Sequence, residues 1–372
     1  MGLNYMPRRG LSIPSVTILD AQNRVIEDEQ RAVFRYNAQQ GYGADIIFGV
    51  GTTGEWNRIT NHERQRLMRI EVEEVENLNR EQANLGKATV EAWVGVTAET
   101  RKETLANLEY SLELGADAVV IAPLSIQDLT DLIDFFQREV SDLFDHKEKA
   151  LPIFLYDNAD IAVDPKRSHI RTRDVKKLSR LPFVCGIKVS ASRRVLGNYT
   201  RGALHYKNKG EFGIYIGNAL LMFQVFQLED SFIGRVRESW NRYLLHDELP
   251  VGVVSGPANV LPREWQRAWR ACYVGDERLM QIYQPAFEAF NAACRFGNTE
   301  KMLACLKLAL KLDGVIESAR VADGTPALTD SEQQQFAQNY QRLKETLYSQ
   351  TDELWRSRAE PVITQTINVS SH

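Results

Sequence analysis

Through residue 275 the chain alternates, eight times over, a short apolar, β-branched run with a longer segment of helical period. The runs are SIPSVTIL (12–19), DIIFGVG (45–51), TVEAWVGV (89–96), AVVIAPL (118–124), PIFLYDN (152–158), VCGIKVS (184–190), FGIYIGN (212–218) and VGVVSGP (251–257). Between them lie amphipathic patterns such as HERQRLMRIEVEEVENL, TRKETLANLEYSLEL and LTDLIDFFQREVSDLF, each bounded by turn residues. Such alternation is the signature of βαβ units on a parallel sheet. Eight strand and helix pairs over roughly 250 residues have the size and count of a (β/α)8 TIM barrel, whereas an open doubly wound sheet usually has fewer strands.

After residue 275 only helical patterns remain: RLMQIYQPAFEAFNAACRF, TEKMLACLKLALKL and SEQQQFAQNYQRLKETLYSQTDELW. The expected organisation is therefore a barrel over 1–275 and a C-terminal helical extension over 276–372. The extension closes on RSRAEPVITQTINVSSH, an aperiodic stretch that reads as a loose tail. The basic RTRDVKKLSR (171–180) carries an Asp and a helical period, so it reads as a solvated helix face.

The formal net charge of −4, with acidic and basic residues interspersed, supplies no electrostatic footprint for nucleic acid or an anionic membrane. No apolar run approaches the ~20 residues of a membrane span, and the first residues lack the apolar core of a signal peptide. A cytoplasmic protein with a small-molecule partner is expected. Cys185, Cys272, Cys294 and Cys305 form no C-x-x-C pair and have no clustered histidines, so neither metal nor disulfide is suggested and buried thiols are expected.

The stretch IIFGVGTTGEW (46–56) holds Gly49, Gly51 and Gly54 in the spacing of a dinucleotide-binding turn. In such a turn the third glycine opens the next helix and an acidic residue follows about 20 positions on, at a strand end. Here Thr60 and Glu63 form a capping box, so the helix begins well after Gly54 and its middle occupies the position of that strand end. The glycines instead permit a tight turn in which Gly51, Thr52 and Thr53 present hydroxyl and backbone N–H donors suited to a carboxylate.

Thr53, Tyr156 and Lys188 fall at the carboxyl ends of the second, fifth and sixth strands, the face on which barrels build active sites. Alternation in VCGIKVS sends Ile187 and Val189 toward the helices and Gly186, Lys188 and Ser190 toward the barrel interior. Desolvation penalises the charged form of an inward lysine, and the same penalty favours a nucleophilic amine for a carbonyl substrate.

GTTGE (51–55), LYDNA (155–159), GIK (186–188) and VVSGPANVLP (253–262) follow in an order and spacing that resembles the dihydrodipicolinate synthase and N-acetylneuraminate lyase family. These are pyruvate-type class I aldolases on a (β/α)8 barrel, and the resemblance covers roughly residues 10–315. It implies that Lys188 forms a Schiff base with a 2-keto acid such as pyruvate, without metal or organic cofactor. It further implies that Thr52 and Thr53 hold the carboxylate, that Tyr156 relays protons, that Ser255 and Asn259 line the pocket or brace it, and that the chain forms homodimers or tetramers.

The departures concern the second substrate. Synthases of the family carry an arginine shortly after the tyrosine, where YDNADIA offers Asp160 and Ile161, which argues against lysine biosynthesis. The fourth strand ends in Pro123-Leu124-Ser125 where many members have Pro-Tyr, Trp56 stands where a small residue is common, and Val189 follows Lys188. Asp157, Asn158 and Asp160 could bind sugar-acid hydroxyls or serve ordinary turn chemistry. Three functions follow: a Schiff-base aldolase or lyase acting with an unidentified aldehyde or sugar acid, a 2-keto-3-deoxy sugar acid dehydratase or hydratase-aldolase, and a non-catalytic keto-acid-binding barrel.

Overall fold

Eight strands close into one parallel barrel in a computed structural model that describes residues 3–207, 210–226 and 249–357. They are β1 (Gly10–Pro14), β2 (Ile46–Gly49), β3 (Glu91–Gly95), β4 (Ala118–Ile121), β5 (Ile153–Asn158), β6 (Val184–Ser190), β7 (Gly213–Ile216) and β8 (Gly252–Val254), with β8 returning to β1. Each expected run carries a strand. The first is displaced, because residues 15–19 leave the sheet after Pro14: Ile18 N donates to Gln30 Oε1, and Val16, Ile18 and Leu19 are buried in the shell between strands and helices. Their apolar character serves that shell and not the barrel.

Two cores result. The outer one lies between the strands and the surrounding helices, and the inner one fills the barrel with Phe48, Trp93, Phe154, Tyr215 and smaller residues. Trp93 stacks on Phe154 at 3.9 Å between centroids, and Tyr215 meets both edge-on at 5.0 and 5.5 Å. Room for these rings comes from glycine: a Cβ on Gly186 would lie 2.6 Å from the Phe154 ring.

A bulge sets the direction of the β6 side chains. Ile153 pairs with Val184 but Phe154 pairs with Gly186, leaving Cys185 as an extra residue. Beyond it Ile187 and Val189 enter the outer core while Lys188 registers against Tyr156 and Tyr215 inside. All four cysteines are buried as free thiols.

Around the barrel, helices α1 (Glu27–Ala38), α2 (Asn61–Asn84) and α3 (Arg101–Leu114) follow the first three strands. Half of the expected capping box forms: Thr60 Oγ1 accepts from Glu63 N at 3.3 Å, while the Glu63 carboxylate turns instead to Val25 N at 2.7 Å. Helix α4 is one run of Leu132–Asp134, a π-helical turn Phe135–Val140 and Ser141–His146. Then come α5 (Thr172–Leu178), α6 (Arg193–Gly202), α7 (Leu221–Phe226) and α8 (Pro262–Val274).

The C-terminal helices are α9 (Glu277–Ala293), α10 (Met302–Leu312) and α11 (Asp330–Ser357), with a short hairpin of Arg295–Phe296 and Thr299–Glu300 before α10. Helix α11 takes in Arg356 and Ser357, the first residues of the expected tail; the rest of that tail lies outside the described residues. No helix among the described residues is long and apolar enough to cross a membrane.

Helix α10 is buried from Ala304 to Leu310 and carries Lys307 in the middle of that stretch. The Lys307 ammonium lies 2.5 Å from Glu55 Oε2, with both side chains fully inaccessible, and also donates to Arg320 O at 2.8 Å. Glu55 Oε1 accepts from Ala322 N at 2.8 Å and from Thr325 Oγ1 at 2.6 Å. The last residue of GTTGE is thereby bound to the C-terminal helices and to the loop that joins α10 to α11. Burial pushes the Lys307 ammonium down, and the Glu55 charge opposes that shift.

Removing one partner of a buried pair strands the other charge, so Lys307→Met should lose about 3–5 kcal/mol in a urea titration. Adding Glu55→Gln should recover part of that loss.

Candidate active site

The turn after β2 is fixed on three sides. Glu71 of α2 is fully buried beneath it, and its Oε1 accepts from Gly49 N at 2.8 Å. A Cβ on Gly49 would lie 2.0 Å from Glu71 Oε2, so any other residue here would displace the Glu71 carboxyl. Burial raises the Glu71 carboxyl well above the usual carboxylate range, against the hydrogen bond from Gly49. Val50 and Glu55 both take left-handed φ, 54° and 56°, uncommon for residues with a Cβ and rarest for a β-branched one. Glu55 is held there by the Lys307 pair.

This turn delivers Thr52 to the barrel mouth, where its Oγ1 lies 3.4 Å from the Tyr156 hydroxyl. Ser190 Oγ reaches the same phenol at 3.3 Å and Asn158 Nδ2 at 3.0 Å. The Lys188 ammonium stands 3.8 Å from the Tyr156 ring centroid and 5.0 Å from that of Phe48. Lys188 is 5% and Tyr156 6% exposed, so both lie almost out of reach of bulk water. Burial raises the Tyr156 phenol; the Lys188 charge and the hydrogen bonds from Ser190 and Thr52 outweigh it, and the net direction is down.

Above this cluster opens a cleft of about 620 Å³. Asn158 and Ser190, which touch the Tyr156 hydroxyl, also line the cleft, although Tyr156 and Lys188 are not themselves part of its lining. Thr53 lines it opposite Gly256, whose added Cβ would meet Thr53 Oγ1 at 3.3 Å. Gly51 is buried, and its carbonyl accepts from Gly54 N at 3.0 Å and closes the turn.

Ser255 is fully buried with no partner for its hydroxyl among the described residues, and its neighbours Gly256 and Pro257 line the cleft. Asn259 braces the mouth: its Nδ2 donates to Pro14 O and Gly256 O, each at 2.8 Å, and its Oδ1 accepts from Val16 N at 3.1 Å. Trp56 packs in the outer core at 6% exposure and does not line the cleft. Asp157 points away from Tyr156 into a buried contact with His169 and Tyr199, while Asn158 caps the following turn by accepting from Asp160 N at 3.1 Å.

Sequence reasoning passed over four contributors: Ser190 and Asn158 as partners of the phenol, the Glu55–Lys307 pair, and His169. Inward alternation already pointed to Ser190. Lys307 carried a signal too, a lysine flanked by leucines in the middle of the apolar MLACLKLALKL, but nothing in the sequence names its partner 252 positions away. Among the described residues no group of three or more His, Cys, Asp or Glu side chains is arranged to hold a metal ion.

The Tyr156 phenol is expected to ionise below the ~10 of a free tyrosine. A nearby positive charge favours phenolate, so Lys188→Met should move the titration upward. Difference absorbance of each protein against its Tyr156→Phe counterpart reads the shift directly.

Comparison with known proteins agrees with this architecture. Residues 7–231 match the model of the Dihydrodipicolinate synthetase family. A 4-hydroxy-tetrahydrodipicolinate synthase of Helicobacter pylori (strain G27) is 24% identical over 285 residues, 74% of this chain and 79% of that protein. The wild-type sialic acid aldolase of Ruminococcus gnavus shares the fold with a TM-score of 0.71 at 15% identity, over 92% of this chain and 98% of its own. YagE, a prophage protein of E. coli K12 whose structure is in complex with pyruvate, superposes with a TM-score of 0.68 at 19% identity, over 90% and 98%. With the family match spanning more than half of its length, the chain belongs to the dihydrodipicolinate synthetase family and is a carbon–carbon lyase of the Schiff-base class.

Proposed function

We propose that Lys188 is the imine-forming residue and that its substrate is pyruvate or a close 2-keto acid. The observation that carries this reading is the buried Lys188 amine against the Tyr156 ring at 3.8 Å, with the two residues that hydrogen-bond the Tyr156 hydroxyl, Asn158 and Ser190, lining an open cleft. The pyruvate complex of YagE, a family relative in fold, supports the substrate class.

In this reading Lys188 passes a proton to the Tyr156 oxygen and attacks the keto carbon as the free amine, and the carbonyl oxygen leaves as water after protonation. The resulting iminium draws electrons from the adjacent carbon, whose proton departs to give an enamine. The enamine carbon then bonds to an aldehyde carbon, or the reverse sequence cleaves that bond, and water releases the lysine. Tyr156 relays the protons, its phenol made more acidic by Lys188 and its hydroxyl bridged to Thr52 and Ser190. Thr52 and Thr53 hold the keto acid's carboxylate through hydroxyl and backbone donors, with the turn closed by Gly51.

Incubation with pyruvate and sodium borohydride followed by intact mass spectrometry tests this. One reduced pyruvyl adduct is expected on the wild type and none on Lys188→Ala. A folded wild-type protein without an adduct, with pyruvate and with larger 2-keto acids, would leave a non-catalytic barrel as the better reading.

A further inference from the structure

We propose that His169, aimed by the buried Asp157 carboxyl, is the specificity-determining residue for the second substrate, a neutral hydroxylated aldehyde. The inference rests on the preceding reading, which supplies the nucleophilic enamine, and adds the electrophile it attacks.

Asp157 follows Tyr156 on β5 and is fully buried, facing away from the barrel interior. Its Oδ1 accepts from Ile170 N at 2.9 Å, and its Oδ2 meets His169 Nδ1 at 3.0 Å and the Tyr199 hydroxyl at 3.2 Å. Tyr199 is itself anchored on the Ile170 carbonyl, so the carboxyl is locked from three directions. A half-buried histidine so held has one ring nitrogen committed, and Nε2 is left to meet a ligand. His169 lines the same cleft as Asn158 and Ser190, the two residues that touch the Tyr156 hydroxyl. The oriented imidazole therefore shares one cleft with two hydrogen-bond partners of the Tyr156 phenol.

Charge selects the ligand. The cleft lining includes Asp160 and Glu300, and no lysine or arginine among the described residues. A carboxylate or phosphate on the aldehyde would meet Asp160 and Glu300 with no lysine or arginine of the described lining to offset its desolvation. The basic side chains nearby, Lys166, Arg167 and Arg171, border a separate recess on which His169 also abuts, and Arg171 is bound to Asp174 at 2.8 Å. What the cleft does offer is neutral hydrogen-bonding groups: Asn158, Ser192, Asn218 and Asn291 besides the imidazole. That set matches hydroxyl groups, which donate and accept alike.

The test compares wild type, His169→Phe and His169→Asn in aldol addition of pyruvate to four aldehydes. Glyceraldehyde and erythrose are neutral, succinic semialdehyde is carboxylated, and glyceraldehyde 3-phosphate is phosphorylated. Borohydride trapping of the pyruvate imine runs in parallel on every variant. The wild type should favour the neutral pair, and His169→Phe should lower kcat/KM for them by about tenfold, the worth of one hydrogen bond. That loss should appear in KM for the aldehyde, exceed any change in imine trapping, and be partly restored in His169→Asn. A preference for either anionic aldehyde, no turnover of the neutral pair by a protein that forms the imine, or kinetics unaltered by His169→Phe would overturn the proposal. An absent imine in the wild type would instead remove the reading on which it rests.

Discussion

The buried ion pair between Glu55 and Lys307 determines the shape of the turn on which the barrel mouth depends. Left-handed φ at Val50 and at Glu55 each costs on the order of 1–3 kcal/mol, and such conformations persist only where the surroundings impose them. Here they do. Glu71 holds the Gly49 amide from below, Lys307 and two further donors hold the Glu55 carboxylate from the C-terminal side, and Gly95 leaves room for the Val50 carbonyl, which a Cβ there would approach to 2.3 Å. A buried pair is weak grounds for net stability, because desolvation offsets most of its Coulomb gain. Its effect in this chain is geometric: Thr52 and Thr53 sit between the clamped residues and inherit their fixed position.

A second consequence of burial concerns Lys188 and Tyr156, which act on each other more than either acts on the solvent. Water is nearly excluded, so the phenol's desolvation is large but the lysine charge is weakly screened, and that charge together with the hydrogen bonds at the hydroxyl outweighs the desolvation. Three polar neighbours, Thr52, Ser190 and Asn158, meet the hydroxyl from three different strand ends. The phenol's hydrogen-bond network is thus assembled by barrel closure, since β2, β5 and β6 converge on one point only when the sheet is complete.

Period and register made the barrel legible in the sequence. Eight apolar runs give eight strands, and alternation within VCGIKVS places Lys188 inside, even though the bulge at Cys185 interrupts the strand just before it. Alternation survives because the bulge lies upstream of Gly186, and the parity of residues 186–190 is intact. The strand expected at 12–19 was displaced because apolar residues at 15–19 signal burial without naming the core that receives them. Glu55 read as part of a motif, yet its partner lies on a helix far along the chain, and local pattern carries no information on such pairings. His169 was silent for the same reason: its meaning comes from Asp157, whose strand parity sends it outward while Tyr156 goes in.

That parity divides the labour of β5. Inward residues Phe154, Tyr156 and Asn158 serve the barrel core and the phenol network, whereas Asp157 reaches around the strand end to fix a loop residue at the cleft. The Lys188–Tyr156 end of the site is accordingly built from the barrel interior, where a change in one ring or glycine disturbs several strands. The distal end is built from what lies outside: His169 on a loop, Asn291 on α9, Glu300 on the hairpin and Met302 on α10. Those elements can change without touching the Lys188 pocket, so the buried lysine–tyrosine pair and the far wall of the cleft are physically separable in this fold. The Glu55–Lys307 pair is the exception to that separation, because it binds the C-terminal helices, which carry part of the distal wall, to the turn that carries Thr52 and Thr53.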